Sequence, residues 1–298
     1  MTNFDFTLMN MNSFLFDHLN SRPLSGATSS KVILQLLLDH KSSMIARFGS
    51  NEIKAVLLPL VPSVVQHFIR QRVFTSMHDL AGFFPSTNQK IKKFSDLMIE
   101  DMKQLDVLGS WRIEEILLLK NFPTAKRVAL KSLEPYLAEN PWSEALAGMK
   151  VLVIHPFNVT IERQYAERRT LLFNDKRVLP EFKSLETIKA VQTIAGERSE
   201  FADWFEALDF MKAAIDAKDF DVAIIGCGAY GFPLAAHVKR MGRKAIHMGG
   251  ATQILFGIKG KRWDTHPIIG AMYNEHWVRP APEDVPQQAS KVEGGCYW

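Results

Sequence analysis

The sequence predicts an α/β protein with a Rossmann-like, mostly parallel sheet, helices on both faces and a helical segment in the N-terminal half. After residue 145, short apolar runs rich in β-branched residues alternate with helical patterns, which favours βαβ units. One of these runs leads into a glycine loop, GCGAYG, that precedes a helix. The composition, 47% hydrophobic and 23% charged, is that of a globular protein.

The N-terminal half contains one short strand pattern among helical patterns. Helices are expected over three segments: 28–40, 63–76 and 88–106. The buried strand SMIARFG ends at Gly49, and a helix follows it with Ser50 or Asn51 as its cap. The segment from about 55 to 135 is therefore predicted to be mainly helical.

Four strands are predicted in the C-terminal half, in MKVLVIHPF, SLETIKAVQT, FDVAIIG and KAIHMGG. We expect a largely helical α/β segment over 1–145, a Rossmann-like nucleotide-binding half over 146–279 and an extended tail over 280–298. One compact domain overall is the alternative.

The charge and cysteine content narrow the class of protein. A net charge of +4 without a block of like charges argues against a nucleic-acid partner. Two cysteines, Cys227 and Cys296, provide no disulfide framework and indicate a reducing compartment. The N-terminus lacks a basic region, and the apolar runs are too short for a transmembrane segment. We therefore expect a cytoplasmic protein.

The glycine loop is the sharpest local signal. Gly226, Gly228 and Gly231 match G-x-G-x-x-G between a strand and a helix, where backbone N–H groups and the helix dipole favour a phosphate. A tight turn without a ligand is the alternative. A dinucleotide site would need an acid at the end of the next strand, and His247 stands there. An NAD(P)-dependent oxidoreductase is therefore disfavoured.

Polar residues follow three other predicted strands. His247 and His155 each end a strand, Arg47 lies near the end of SMIARFG, and Glu52 follows it. A single polar residue at a strand end more often has a structural role than a functional one. However, the carboxyl ends of parallel strands meet at one edge of a sheet, which brings these residues together. We therefore expect these residues and the glycine loop to line one cleft.

A basic loop, FGIKGKRWD, places Lys261 and Arg262 beside Trp263. It would neutralise a diphosphate and stack on a base or sugar. A solvated turn is the alternative. The histidines form no H-x-x-x-H pair, so a histidine zinc site has no support.

Two segments resemble the GT-D-type glycosyltransferases, bacterial enzymes of polysaccharide and protein glycosylation. ARFGSNE, residues 46–52, is similar to that family's R-F/Y-G-D-G-E segment, and residues 221–250 are similar to its C-terminal half. The stretch 155–298 also resembles uncharacterised proteins of bacterial surface-polysaccharide loci. Ser50 stands where the family has its first acid, and His247 where it has an aspartate.

The resemblance implies a nucleotide-sugar donor, a glycan acceptor and a divalent metal, Mn or Mg, held by Glu52. The leading hypothesis is a nucleotide-sugar-dependent glycosyltransferase of polysaccharide or glycan biosynthesis, with Glu52, His247 and His155 as catalytic residues. His247 or His155 would act as the base, since an ordinary pKa near 6.5 suits that work. The residues expected to hold the donor are Arg47, Gly226, Gly228, Gly231, Lys261, Arg262 and Trp263. The alternative is a non-catalytic nucleotide- or sugar-phosphate-binding protein of a biosynthetic assembly.

Overall fold

A computed structural model describes residues 22–193, 199–286 and 295–298. Its seven strands form one parallel sheet in the order β3-β2-β1-β7-β6-β4-β5. The strands are β1 Ser43–Ala46, β2 Val107–Ser110, β3 Lys126–Ala129, β4 Lys150–His155, β5 Ser184–Lys189, β6 Val222–Ile225 and β7 Lys244–His247. The predicted α/β, Rossmann-like fold is confirmed.

Helices cover both faces of this sheet. They are α1 Gly26–Leu38, α2 Ser50–Leu57, α3 Ser63–Ala81, α4 Asn88–Met102, α5 Asn158–Leu172, α6 Trp204–Asp216, α7 Gly231–Arg240 and α8 Thr252–Leu255. Alternate residues of each central strand enter different cores: Met44 packs with α2, α3, α4, α6 and α7, whereas Ile45 packs with α1, α5 and α8. Burial on both faces explains why the central strands are almost wholly apolar.

Residues 55–135 are mainly helical, as predicted, but the segment also contains two strands that the sequence did not predict. Strands β2 and β3 lie within this segment, and β2 pairs with β1 through Ile45 and Val107. Each strand has only four residues; β2, VLGS, includes a glycine, and β3, KRVA, lies at the sheet edge with two basic residues. Neither has the apolar run that marks a strand in sequence.

Strands from both halves of the chain alternate at the centre of the sheet. β1 lies between β2 and β7, and Ser43 is in register with Lys244. The carboxyl ends of β1, β7, β6 and β4 therefore stand side by side. Within the described part of the chain, no helix is both long and apolar enough to cross a membrane.

The described parts of the C-terminal tail pack against the rest of the molecule. The Asp284 carboxylate accepts hydrogen bonds from the backbone N–H and the hydroxyl of Thr160, at 2.8 and 2.5 Å. The backbone N–H of Arg262 donates to the Cys296 carbonyl at 3.0 Å. These contacts bring the last residues to the edge where the strands end; residues 287–294 lie outside the described part.

Candidate functional site

The strand ends form one cleft with a volume of about 360 Å³. The cleft is lined by residues from all the loops that follow the seven strands, as expected for the carboxyl edge of a parallel sheet. Of the residues singled out from sequence, it includes Arg47, Glu52, His155, Gly226, Gly228, His247, Arg262 and Trp263. Gly231 and Lys261 are not among the residues that line it. The expected common cleft is therefore present.

Arg47 brings into the cleft a cation that forms no ion pair with a described residue. Its Nε atom is buried and has no hydrogen-bond partner, and no carboxylate of the described residues reaches ion-pair distance. Burial lowers the pKa of the Arg47 guanidinium; Glu52 opposes this shift and Arg262 adds to it. A desolvated guanidinium without an ion-pair partner is costly, and an anionic ligand would relieve that cost.

Two glycines leave room for the charged groups. A Cβ atom on Gly249, whose φ is +65°, would lie 2.8 Å from Nη1 of Arg47. A Cβ atom on Gly49 would overlap the Glu52 carboxylate, at 1.8 Å from Oε2. The Glu52 side chain thus folds back over Gly49, in the first turn of α2, where the helix dipole favours a negative charge.

Trp111 forms one wall of the cleft and was missed in the sequence, because β2 was missed. Its indole Nε1–H donates to the Phe48 carbonyl at 2.9 Å, and the residue remains 41% exposed. The buried Glu115 carboxylate accepts from the backbone N–H groups of Trp111 and Arg112, at 3.1 and 3.0 Å. These hydrogen bonds hold the ring in place, so Trp111 is a preformed aromatic surface.

Glu134 is a second cleft residue that the sequence did not reveal. It follows β3, and its Oε2 accepts a hydrogen bond from the Tyr136 hydroxyl at 2.9 Å. Burial raises the pKa of the Glu134 carboxyl, and the hydrogen bond from Tyr136 and the charge of Arg47 oppose the shift. A carboxylate with a raised pKa in a cleft is suited to general-base work.

The two histidines are buried, so the expectation that they keep an ordinary pKa is wrong. Burial lowers the pKa of His155 and of His247 to about 3. His155 Nδ1 accepts from the Phe157 N–H at 2.9 Å, which places the ring proton on Nε2. His247 Nδ1 lies 3.2 Å from the Ile225 carbonyl, to which it donates, leaving Nε2 unprotonated. Both rings are neutral, and His155 is a hydrogen-bond donor rather than a base.

Packing explains two of the three glycines in GCGAYG. A Cβ atom on Gly231 would lie 2.1 Å from Cε1 of His247, and one on Gly226 would lie 2.7 Å from Cδ2 of His155. Gly228 differs: its φ is +57°, and its Cβ would meet only a backbone oxygen at 3.4 Å. The loop is thus built around the two histidine rings. Burial also raises the pKa of the Cys227 thiol well above its usual range, which disfavours a nucleophilic role.

The C-terminus fixes the basic loop. Arg262 donates from Nη1 to the Tyr297 hydroxyl at 3.0 Å, and the Gln253 amide donates to the Tyr297 carbonyl at 3.1 Å. Tyr297 also packs against Gly250, where a Cβ atom would lie 2.6 Å from its ring. Arg262 and Trp263 therefore lie at the rim of the cleft, on a turn that contacts with Tyr297 hold in place.

The residues present do not fit a divalent-metal site. Glu52 and Glu134 are the carboxylates of the described cleft lining, which also holds the cations of Arg47 and Arg262. Among the residues that the structure describes, no three His, Cys, Asp or Glu side chains are grouped to hold a metal ion. A hard cation needs several oxygen ligands, and repulsion from the two arginines would weaken its binding further.

Comparison of the chain with protein-family models, with curated proteins and with solved structures finds no match. The geometry of the cleft is therefore the basis for a functional proposal.

Proposed function

We propose that the cleft binds a nucleotide sugar and that the protein is a glycosyltransferase in which arginines, rather than a metal, stabilise the leaving diphosphate. The observation that carries the proposal is Arg47, a half-buried guanidinium facing the cleft with a buried, unpartnered Nε atom. Guanidinium groups bind phosphate oxygens in a bidentate manner that also satisfies their N–H groups. Arg262 supplies a second positive charge at the rim.

The surroundings of Arg47 suit the remainder of a nucleotide. Trp111 and Trp263 provide aromatic surfaces on which a base or a sugar ring can stack. The volume of about 360 Å³ falls in the range of small-molecule sites. A ligand can approach the backbone at Gly228, because this glycine has no side chain and the space beside it is nearly open.

The reaction would be a displacement at the anomeric carbon of the donor. The bond from this carbon to the diphosphate oxygen breaks, and a bond to an acceptor hydroxyl oxygen forms. Arg47 and Arg262 stabilise the negative charge that develops on the diphosphate, the main electrostatic demand of the step. The acceptor proton passes to a base, and we assign this role to Glu134, whose raised pKa makes it a better proton acceptor than an ordinary carboxylate. His247 Nε2 is the second candidate base, and its low pKa makes it the weaker one.

The proposal is tested by titrating the full chain with nucleoside diphosphates, nucleotide sugars and NAD(H), and by measuring donor hydrolysis or transfer with and without a chelator. We expect a nucleoside diphosphate to bind and stabilise the fold, and turnover of its sugar conjugate to persist in the chelator. Tighter binding of NAD(H) would argue for an oxidoreductase. Binding without turnover of any donor would indicate the non-catalytic alternative, and turnover restored only by Mn²⁺ would contradict the arginine mechanism.

A further inference from the structure

Helix α3 carries apolar side chains on a surface that no described residue covers. Val64, Val65, Phe68 and Ile69 are 68, 43, 78 and 38% exposed. Only the second half of the helix is anchored in the core, through Val73, Met77 and Ala81. We call the four exposed residues the α3 apolar face.

The α3 apolar face points away from the core. At 3.6 residues per turn, positions 64, 65, 68, 69 and 72 fall within an arc of about 140°. The anchoring residues Val73 and Met77 lie outside this arc, about 40° and 80° beyond Ile69. An ordinary surface helix has one apolar stripe, which faces the core. A second stripe, facing solvent, indicates a surface that is covered in the working protein.

The charged residues of the segment that contains this face are basic up to Asp79, near the end of the helix. From Ile53 to His78 the sequence contains no Asp or Glu, but it contains Lys54, Arg70 and Arg72. Arg72 is exposed and falls within the apolar arc. A long arginine stem can lie along apolar surface while its guanidinium reaches outward to a phosphate.

We propose that the α3 apolar face docks on an anionic lipid membrane. Helices that lie in the membrane interface combine aromatic and aliphatic side chains with arginine or lysine in this way. The headgroups of anionic lipids provide negative charge that can pair with Arg72. A second copy is disfavoured as the occupant, because contact by the same face would bury both Arg72 guanidiniums where no carboxylate of the 53–78 segment can pair with them.

Docking by α3 would hold the cleft close to the lipid. The other end of the same helix lines the cleft through Leu80 and Ala81. Phe68 is 12 residues before Leu80, which corresponds to about 18 Å along the axis. An acceptor carried by a membrane lipid would therefore lie within reach. The docking itself does not depend on which ligand occupies the cleft.

The test is co-sedimentation of the full chain with vesicles of phosphatidylglycerol and phosphatidylcholine, and with vesicles of phosphatidylcholine alone. We expect binding to the anionic vesicles that weakens as salt is added. The double variant Val65→Ser/Phe68→Ser should lose roughly tenfold or more in vesicle affinity, because it removes two apolar side chains from the contact. Arg72→Gln should weaken binding to the anionic vesicles and leave binding to the neutral ones unchanged.

The matched control is Phe210→Ser on α6, which removes another exposed phenylalanine, 53% accessible, from a different helix. It should bind vesicles as the unaltered chain does. All variants should keep the melting temperature within a few degrees, since the side chains are exposed. No binding to anionic vesicles, or equal binding by the double variant, would overturn the proposal. A concentration-dependent dimer that Phe68→Ser abolishes, without vesicle binding, would assign the face to a second copy instead.

Discussion

The guanidinium of Arg47 lies 5.0 Å from the centre of the Trp111 ring, where the loops after β1 and β2 meet. The cation–π contact joins the charged and the aromatic part of the cleft. Neither side chain is held by the other alone: Trp111 is anchored to the Phe48 carbonyl, and Arg47 packs over Gly249. A ligand with a phosphate beside a ring would contact both residues.

Trp111 is expected to bind the base or sugar and not the phosphates. Trp111→Ala should weaken the binding of a nucleoside diphosphate by about 1–3 kcal/mol, the range for stacking of a base on an aromatic side chain. It should change the affinity for inorganic pyrophosphate far less, because pyrophosphate has no ring. Calorimetric titration with both ligands measures the difference. An equal loss for both ligands would mean that Trp111 acts only by positioning Arg47.

Glu134 is expected to act on turnover rather than on binding. Glu134→Gln should lower kcat roughly 10²- to 10⁴-fold, the usual contribution of a general base, with little change in nucleotide affinity. The pH–rate profile provides a second measurement, since the base works only when it is deprotonated and the rate falls as pH falls through its pKa. Tyr136 lowers that pKa by its hydrogen bond, so Tyr136→Phe should move the acid limb to higher pH. If Tyr136→Phe leaves the acid limb of the pH–rate profile unchanged, Glu134 is not the general base.

The buried histidines are expected to make the fold acid-sensitive. Their pKa is lowered to about 3, so between about pH 6.5 and pH 3 the unfolded chain binds protons that the folded chain does not. Stability should therefore fall as pH drops in that window, by about 1.4 kcal/mol per pH unit for each histidine. The buried carboxyl of Asp101, whose pKa is raised to about 6, acts in the opposite sense and partly offsets this. Urea unfolding of His155→Gln at several pH values in this range should show a free energy of unfolding that depends less steeply on pH. An unchanged pH dependence would contradict the burial argument.

Gly249 is expected to be needed for nucleotide binding, because a side chain at this position would displace the Arg47 guanidinium. Gly249→Ala places a Cβ at a φ of +65° and within 2.8 Å of the Arg47 guanidinium. Gly148→Ala is a matched control, since its φ is +73° and an added Cβ meets nothing within 4 Å. Both variants should lose about 1–2 kcal/mol of stability from the left-handed backbone. Only Gly249→Ala should weaken nucleotide binding as well. Equal nucleotide affinity of the two variants would show that Gly249 does not contribute to the binding site.

The location of the site could be predicted because parallel strands end at one edge. Once β1, β4, β6 and β7 were recognised as apolar runs, Arg47, His155, Gly226 and His247 had to stand together. The role of the histidines could not be predicted in this way. Their pKa depends on the packing that encloses them, including Gly226 and Gly231, and a strand pattern does not indicate how deeply its last residue is buried.

The missed cleft residues have a common cause. Trp111 and Glu134 follow β2 and β3, two four-residue strands whose sequences lack a continuous apolar run. Tyr297 reaches the cleft from the end of the chain, through contacts with Gln253 and Arg262 that are more than thirty residues away in sequence. A tryptophan after the short apolar pair in VLGS was the one local signal that could have indicated β2 and its loop.

The central claim is that Arg47 carries the affinity for a diphosphate, and calorimetric titration of Arg47→Gln tests it most directly. The variant removes the charge and keeps a side chain that can hydrogen-bond, and Arg163→Gln is the control, since that arginine is exposed on α5. We predict that Arg47→Gln weakens nucleoside-diphosphate binding by about 1.5–3 kcal/mol, the range for a hydrogen bond to a charged group. It should leave the melting temperature unchanged or higher, because a desolvated charge is removed. A folded Arg47→Gln protein with the affinity of the unaltered chain would contradict the account.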